Sequence, residues 1–151
     1  MTAELGAMRV TEQVDAMRAF GADPLKMLVT PRLLATLMAL PLLTILADVM
    51  GIAGGMLIAG VELHMTYRRF LSIVLQALAV GDVVSGLAKA LCFGGIIATV
   101  ACYHGLHTAG GTEGVGRATT VTVVVTALLI LVSDFFLSKF FLLVFPPRLS
   151  L

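Results

Sequence analysis

Val121–Phe145 has the sequence VTVVVTALLILVSDFFLSKFFLLVF, and this stretch decides the class of fold. A helix needs roughly 20 apolar residues to cross the hydrocarbon core of a bilayer, and this run exceeds that length. Two runs of the same character precede it, from about Leu33 to Val61 and from about Val83 to Tyr103. The sequence therefore predicts an all-α, polytopic helical membrane protein with about three transmembrane helices.

The composition of the whole chain agrees with that class. Apolar residues make up 59% and charged residues 13%, with a mean hydropathy of +1.04. A soluble domain is about 45–50% apolar and about 25% charged. The net charge of +1 argues against a nucleic-acid partner. Cys92 and Cys102 fall in or at the end of an apolar run, which predicts buried free thiols rather than a disulfide or a metal pair.

Residues 1–32 differ from the rest because they are polar, and they are expected to form a structured elbow ahead of the membrane region 33–151. Val10, Val14 and Met17 recur at helical spacing, which predicts one amphipathic helix from Thr2 to Phe20. Gly21 is expected to stop it. Asp23-Pro24 and Thr30-Pro31 each have the pattern of an N-cap followed by proline, which predicts a short helix and a second helix start.

The first predicted span is longer than a bilayer requires. Leu33 to Val61 would extend about 43 Å as a helix, against a hydrocarbon core of about 30 Å. It is therefore expected to tilt, protrude or kink, with Pro41 as the candidate kink. Gly51 and Gly55 form a small-residue pair of the kind that lets helices approach closely in lipid, so they are predicted to pack against another helix.

The connections between spans predict the topology. Glu62–Thr66 and Arg68-Arg69 indicate an exit to water, and Phe70–Val80 is expected to be an interfacial helix or the shoulder of a span. His104–Thr120 is predicted to be a polar, glycine-rich loop on the same side as the elbow, and Pro146-Pro147 is predicted to end the third span. The elbow side carries five basic residues and the far side three, which favours an inside elbow. The five are Arg9, Arg18, Lys26, Arg32 and Arg117, and the three are Arg68, Arg69 and Arg148.

The first twenty residues include five charged side chains and lack the apolar core of a secretory signal peptide. Insertion is therefore expected to use an internal span, or a span upstream of Met1.

Ionisable residues stand at membrane depth. Asp48, Lys89 and Asp134 each interrupt an apolar run, where a charge costs about 2.5–3.5 kcal/mol on insertion scales. They could form a polar lining, or Lys89 and Asp134 could form a switchable ion pair. A structural pair that fixes helix packing is the preferred interpretation, and Lys139 is expected to reach towards the nearer interface.

Several separate motifs resemble the MlaE/YrbE permease family, the membrane subunits of lipid-transporting ABC systems that work with MCE-domain proteins. The resemblance runs from Ala3 to Asp134, in the family's order. Its motifs are Ala3-Glu4-Leu5-Gly6, Met8-Arg9-Val10-Thr11-Glu12-Gln13-Val14-Asp15-Ala16, Asp23-Pro24-Leu25, Pro31-Arg32, Pro41-Leu42-Leu43-Thr44, the Gly51–Gly55 cluster, and Gly114-Val115-Gly116-Arg117-Ala118-Thr119-Thr120 followed by an apolar run containing Asp134. One departure is that family members carry a further membrane half before the first motif, so the amino-terminal half is missing here, together with much of the family's lipid pocket.

The resemblance implies a non-enzymatic permease of the bacterial inner (plasma) membrane. It would form a homodimer, contact an ABC ATPase subunit in the cytoplasm and an MCE-domain lipid-binding protein on the other face, and move phospholipid between inner and outer membranes, supporting outer-membrane lipid asymmetry. A small STAS-domain protein is a further partner of such systems. The chain itself is expected to bind no cofactor, because it lacks a Walker A motif and ATP would be used by the partner subunit.

The resemblance assigns ATPase coupling to the elbow, although spacing alone favours a simple solvated helix. Glu12, Gln13, Arg9 and Asp15 would fix the register by hydrogen bonds and charge pairs, while Val14 and Met17 would fill a groove in the ATPase.

Other motifs have simpler interpretations. The segment Gly110–Arg117 is glycine-rich like a phosphate loop but lacks its Gly-Lys-Ser/Thr end, so Gly116 and Arg117 are predicted in a cytoplasmic turn. His64, His104 and His107 are predicted to be surface residues, with no metal site. Two other functions remain open: a truncated, non-transporting membrane scaffold, and a membrane-embedded lipid enzyme that uses Asp48, Asp134 and the histidines.

Overall fold

The computed structural model describes residues 1–78 and 80–144, and within these ranges it contains helices and no strands. Six α-helices follow in order: α1 Thr2–Val10, α2 Gln13–Ala19, α3 Thr30–Glu62, α4 Tyr67–Ala77, α5 Val80–Leu106 and α6 Gly111–Val144. Three of them, α3, α5 and α6, are long and apolar enough to cross a membrane. The predicted all-α membrane architecture is confirmed. The predicted end at Phe145, the Pro146-Pro147 stop and Arg148 lie outside the described residues.

The three long helices form a layer with α5 in the middle, because α3 and α6 each pack against it. Small residues on α5 permit a close approach to α3: a methyl group at Gly94 would lie 3.3 Å from the Thr36 carbonyl oxygen. Ala90 and Ala98, one turn to either side of Gly94, are buried on the same face. Close backbone approach at small residues is the usual means of packing helices in lipid, where the hydrophobic effect does not drive their association.

The first long helix starts earlier than predicted. A π-helical turn over Leu25–Val29 runs directly into α3, so Thr30-Pro31 is not a separate helix start. Pro31 is the second residue of α3, directly after the π-helical turn, and its ring nitrogen has no amide hydrogen to donate. Pro41 lies inside α3, which continues through it. The predicted cap at Asp23 is confirmed, because the Leu25 amide donates to its Oδ1 at 3.1 Å.

The prediction of one helix from Thr2 to Phe20 is wrong. α1 ends at Val10 and α2 begins at Gln13, with Glu12 between them at a φ of 60°. The Thr11 hydroxyl donates to the Ala7 carbonyl at 2.9 Å, and threonine commonly competes with the backbone in this way where a helix ends. Gly21 has a φ of 76°, which confirms it as the stop after α2.

The predicted loop His104–Thr120 is also wrong over most of its length. α5 continues to Leu106 and α6 begins at Gly111, so the turn occupies only residues 107–110. Gly110 and Gly111 have φ values of 91° and 70°, which make the reversal possible. Two threonines of the predicted loop, Thr119 and Thr120, instead donate hydrogen bonds to carbonyls one helical turn earlier, at 2.8 and 3.2 Å.

Candidate functional site

The first helix of the elbow is wedged against the ends of two spans. Leu5 is fully buried, and a methyl group at Gly105 of α5 would lie only 2.7 Å from its Cβ. The buried Thr2 hydroxyl donates to the Ala101 carbonyl at 3.3 Å. On the other side, a methyl group at Gly6 would lie 3.4 Å from Val115 of α6. These contacts pack α1 closely against α5 and α6.

An ion pair ties the same helix to the remaining span. Glu4 Oε1 of α1 lies 2.7 Å from Arg32 Nη2 of α3, and the Arg32 side chain is only 17% exposed. Its other terminal nitrogen, Nη1, is buried without a hydrogen-bond partner in the described part of the chain. α1 therefore contacts all three spans at one end of the bundle, which we call the elbow end.

The second helix of the elbow is attached to the first through side chains predicted to contact a partner. Val14 was predicted to fill a groove in the ATPase, but its side chain is only 1% exposed and cannot do so. The break at Thr11–Glu12 changes the helical phase, and this turns Val14 inwards. Asp15 pairs with Arg9 across the break, and its Oδ1 lies 3.5 Å from Arg18 Nη1. Arg9 and Asp15 thus join α2 to α1.

Other elbow residues remain available to a partner. Glu12 and Gln13 are exposed, and Met17 is half-buried. Phe20, which was not among the predicted site residues, is 89% exposed at the end of α2. Its signal in the sequence was an aromatic residue immediately before the glycine stop, at a position where no core could cover it. Glu12, Gln13 and Phe20, with Met17 in part, therefore belong to the exposed surface of the elbow.

Lys89 and Asp134 lie together between α5 and α6. Lys89 Nζ is 2.9 Å from Asp134 Oδ1 and donates to Ser138 Oγ at 2.6 Å. Ser138 was not predicted, although it follows Asp134 by one helical turn. The group opens on a cavity of 200 Å³ lined also by Gly81, Asp82, Ser85, Phe141 and Leu142. Because a lone charge in the membrane is costly, this pair joins α5 to α6 specifically.

The structure does not bring Asp48 to this pair. Asp48 is exposed in the middle of α3, within a stretch from Ile45 to Gly51 that is exposed throughout. Gly51 has open space around its Cα, whereas a methyl group at Gly55 would lie 3.3 Å from the Phe70 ring of α4. The two glycines therefore do not share one helix neighbour within the described chain, contrary to the predicted packing pair. Lys139 is exposed on α6.

Gly116 and Arg117 are exposed on the first turns of α6, so their predicted place in a turn is wrong.

Cys102 is buried and Cys92 is exposed; both are free thiols, so the prediction of burial fails for Cys92. Cys92 borders an open apolar groove of 630 Å³ between α5 and α6. His64 and His107 are exposed and His104 is half-buried. Within residues 1–78 and 80–144, no group of three or more metal-ligating side chains converges.

Comparison with known proteins gives a consistent set of relatives. The family described as Permease MlaE matches residues 1–140. A probable ABC transporter permease protein of Rickettsia typhi is 42% identical over 139 residues, which is 92% of this chain and 54% of the relative. A probable ABC transporter permease protein of Synechocystis is 45% identical over 136 residues, which is 90% of this chain and 52% of the relative.

A plant protein belongs to the same set. Protein TRIGALACTOSYLDIACYLGLYCEROL 1, chloroplastic, of Arabidopsis thaliana is 40% identical over 139 residues, which is 92% of this chain and 40% of the relative. The chain thus spans about half the length of the bacterial relatives it matches. Its three candidate spans and these matches identify a multi-pass membrane protein, and the chain belongs to the MlaE permease family.

Proposed function

We propose that this chain is the part of a lipid-transporting ABC permease that receives movement from a cytoplasmic ATPase and passes it to the spans. The observation that carries the proposal is the position of α1, which contacts α3, α5 and α6 at once. α2 is held to α1 and presents exposed side chains at the elbow end. A partner that binds α2 would therefore act on all three spans through one rigid connection.

The path of the movement can be followed residue by residue. A force on Gln13 or Phe20 reaches α1 through the Arg9–Asp15 pair and the contact between α2 and α1. From α1 it reaches α5 through Leu5 and α3 through the Glu4–Arg32 pair. Tightly packed interfaces respond to a displacement by moving as units, because compression of the contacts costs more than rotation of a helix.

The cargo we propose is phospholipid, moved between the inner and outer membranes of a diderm bacterium to support outer-membrane lipid asymmetry. The Arabidopsis relative carries the name of a galactolipid, trigalactosyldiacylglycerol. An apolar groove of 630 Å³ between α5 and α6 is of a size and character that suits acyl chains.

The proposed assembly contains two permease copies, the ATPase, an MCE-domain protein on the far face and a small STAS-domain protein. ATP is hydrolysed on the ATPase and not on this chain.

A photo-crosslinking experiment tests the contact on which this function depends. The photoreactive amino acid p-benzoylphenylalanine is placed at Gln13 of the full-length permease, co-expressed with its cognate ATPase. A matched variant carries it at Leu63, an exposed residue at the opposite end of α3. We expect an adduct with the ATPase at Gln13 and none at Leu63. An intact complex that gives no adduct at Gln13 would overturn the proposal.

A further inference from the structure

The helix at the far end of the bundle, α4, has two distinct sides. Phe70 and Val74 are half-buried; on α3, Phe70 closes over Gly55 and Tyr67 lies against Gly60. Next to them around the helix, Leu71 and Leu75 are 46% and 68% exposed. The polar residues of α4 are Arg68, Arg69, Ser72 and Gln76, and the exposed Ile73 borders them. An amphipathic helix of this composition, at the end of membrane spans, suits the boundary between acyl chains and headgroups.

The two arginines of α4 form no ion pair within residues 1–78 and 80–144. Both are exposed. The helix itself contains no aspartate or glutamate. Cations in the first turn of a helix are opposed by its dipole, so Arg68 and Arg69 do not stabilise α4. Their charge is therefore free to act on something outside the chain.

We infer that α4 is a docking surface for anionic phospholipids of the membrane in which the chain sits. Leu71 and Leu75 lie among the upper acyl chains, and Arg68 and Arg69 lie at the level of the phosphates. Charge complementarity supports this occupant, because arginine suits phosphate oxygens through its planar fork of donors. The exposed leucines support a lipid surface rather than a soluble anion. The inference requires a membrane-embedded chain and does not depend on coupling or transport.

The contact with α3 places this lipid layer beside the far end of the bundle. Because Phe70 and Tyr67 close over Gly55 and Gly60, α4 is fixed to the last turns of α3 rather than free in the interface. Lipids gathered at its polar side therefore lie next to the last turns of α3. A basic residue near a charged bilayer surface contributes about 1 kcal/mol, so each arginine is expected to enrich anionic lipid about fivefold.

Tryptophan fluorescence measures both the depth of α4 and its lipid neighbours, because the chain contains no tryptophan. The variant Leu75→Trp places an indole on the apolar side of α4. The matched control Gln76→Trp places an indole at the next residue, on the polar side of the helix. Each is reconstituted as the 151-residue chain in vesicles of phosphatidylcholine and phosphatidylglycerol with brominated acyl chains. We expect strong quenching of Leu75→Trp and little quenching of Gln76→Trp.

Lipid selectivity is measured in the Leu75→Trp background by placing bromine on only one of the two lipids. Phosphatidylglycerol is expected to be the preferred neighbour, and Arg68→Gln with Arg69→Gln to reduce that preference about fivefold per arginine. Arg117→Gln, which removes an exposed charge at the elbow end, is expected to leave it unchanged. Equal quenching of the two tryptophan variants, or a lipid preference that survives removal of both arginines, would overturn the inference. The second result would leave an acidic protein surface as the partner of Arg68 and Arg69.

Discussion

The closest helix contact at the elbow provides the sharpest test of how α1 is joined to the spans. Gly105→Ala adds one methyl group to α5, at a point 2.7 Å from Leu5 Cβ and 3.1 Å from the Thr2 carbonyl oxygen. The second atom is backbone and Leu5 is fully buried, so neither neighbour can give way by a change of rotamer. Overpacking of this kind costs about 1–3 kcal/mol. We expect α1 to be displaced from α5.

The matched control is Gly86→Ala on the same helix, where an added methyl group meets nothing within 4 Å. Replacing glycine by alanine in a helix otherwise stabilises it by roughly 0.5–1 kcal/mol. In unfolding experiments in detergent, Gly105→Ala should therefore lower the free energy of unfolding and Gly86→Ala should raise it. In the full-length permease with its ATPase, Gly105→Ala should also lower the lipid moved per ATP hydrolysed. Equal stability and equal coupling in both variants would refute the packing argument.

Three further predictions concern single contacts. Lys89→Met or Asp134→Leu alone leaves an uncompensated charge at membrane depth, which costs about 2.5–3.5 kcal/mol of stability. In a double-mutant cycle of unfolding, the double variant should recover most of that loss. Additive losses would contradict a direct pair. Glu4→Arg with Arg32→Glu should restore lipid transport that Glu4→Arg alone reduces, as measured in reconstituted vesicles; failure of the double variant would argue against the link. Phe20→Ala should leave the melting temperature unchanged, because Phe20 is 89% exposed, yet weaken ATPase binding in a pull-down; unchanged binding would exclude Phe20 from the interface.

The spans were predictable because apolar run length depends only on composition, and the helices α3, α5 and α6 contain all three predicted stretches within the described residues. Helix ends were less predictable. Gly114 and Gly116 suggest a loop by their intrinsic preference, but α6 forms through them because its first turns pack against α1. The break at Glu12 was equally hidden, since a left-handed glutamate has no distinctive sequence signal.

The candidate site was predicted in part for a similar reason. Lys89 and Asp134 stood out because any charge inside an apolar run is costly, and the cost is reduced by pairing. Val14 was misassigned because helical periodicity identifies an apolar side but not what covers it. Val14 is covered by the rest of the chain, whereas Phe20, one residue before the stop, is 89% exposed.

Hydrogen–deuterium exchange of the full-length permease, with and without its cognate ATPase, tests the central claim most directly. Amide exchange reports which backbone segments a partner covers or stabilises. Binding of the ATPase is predicted to protect the amides of Glu12–Phe20 and to leave those of α4, at the opposite end of the bundle, unchanged. Protection of α4 without protection of the elbow would contradict the claim that this chain is coupled to the ATPase through α1 and α2.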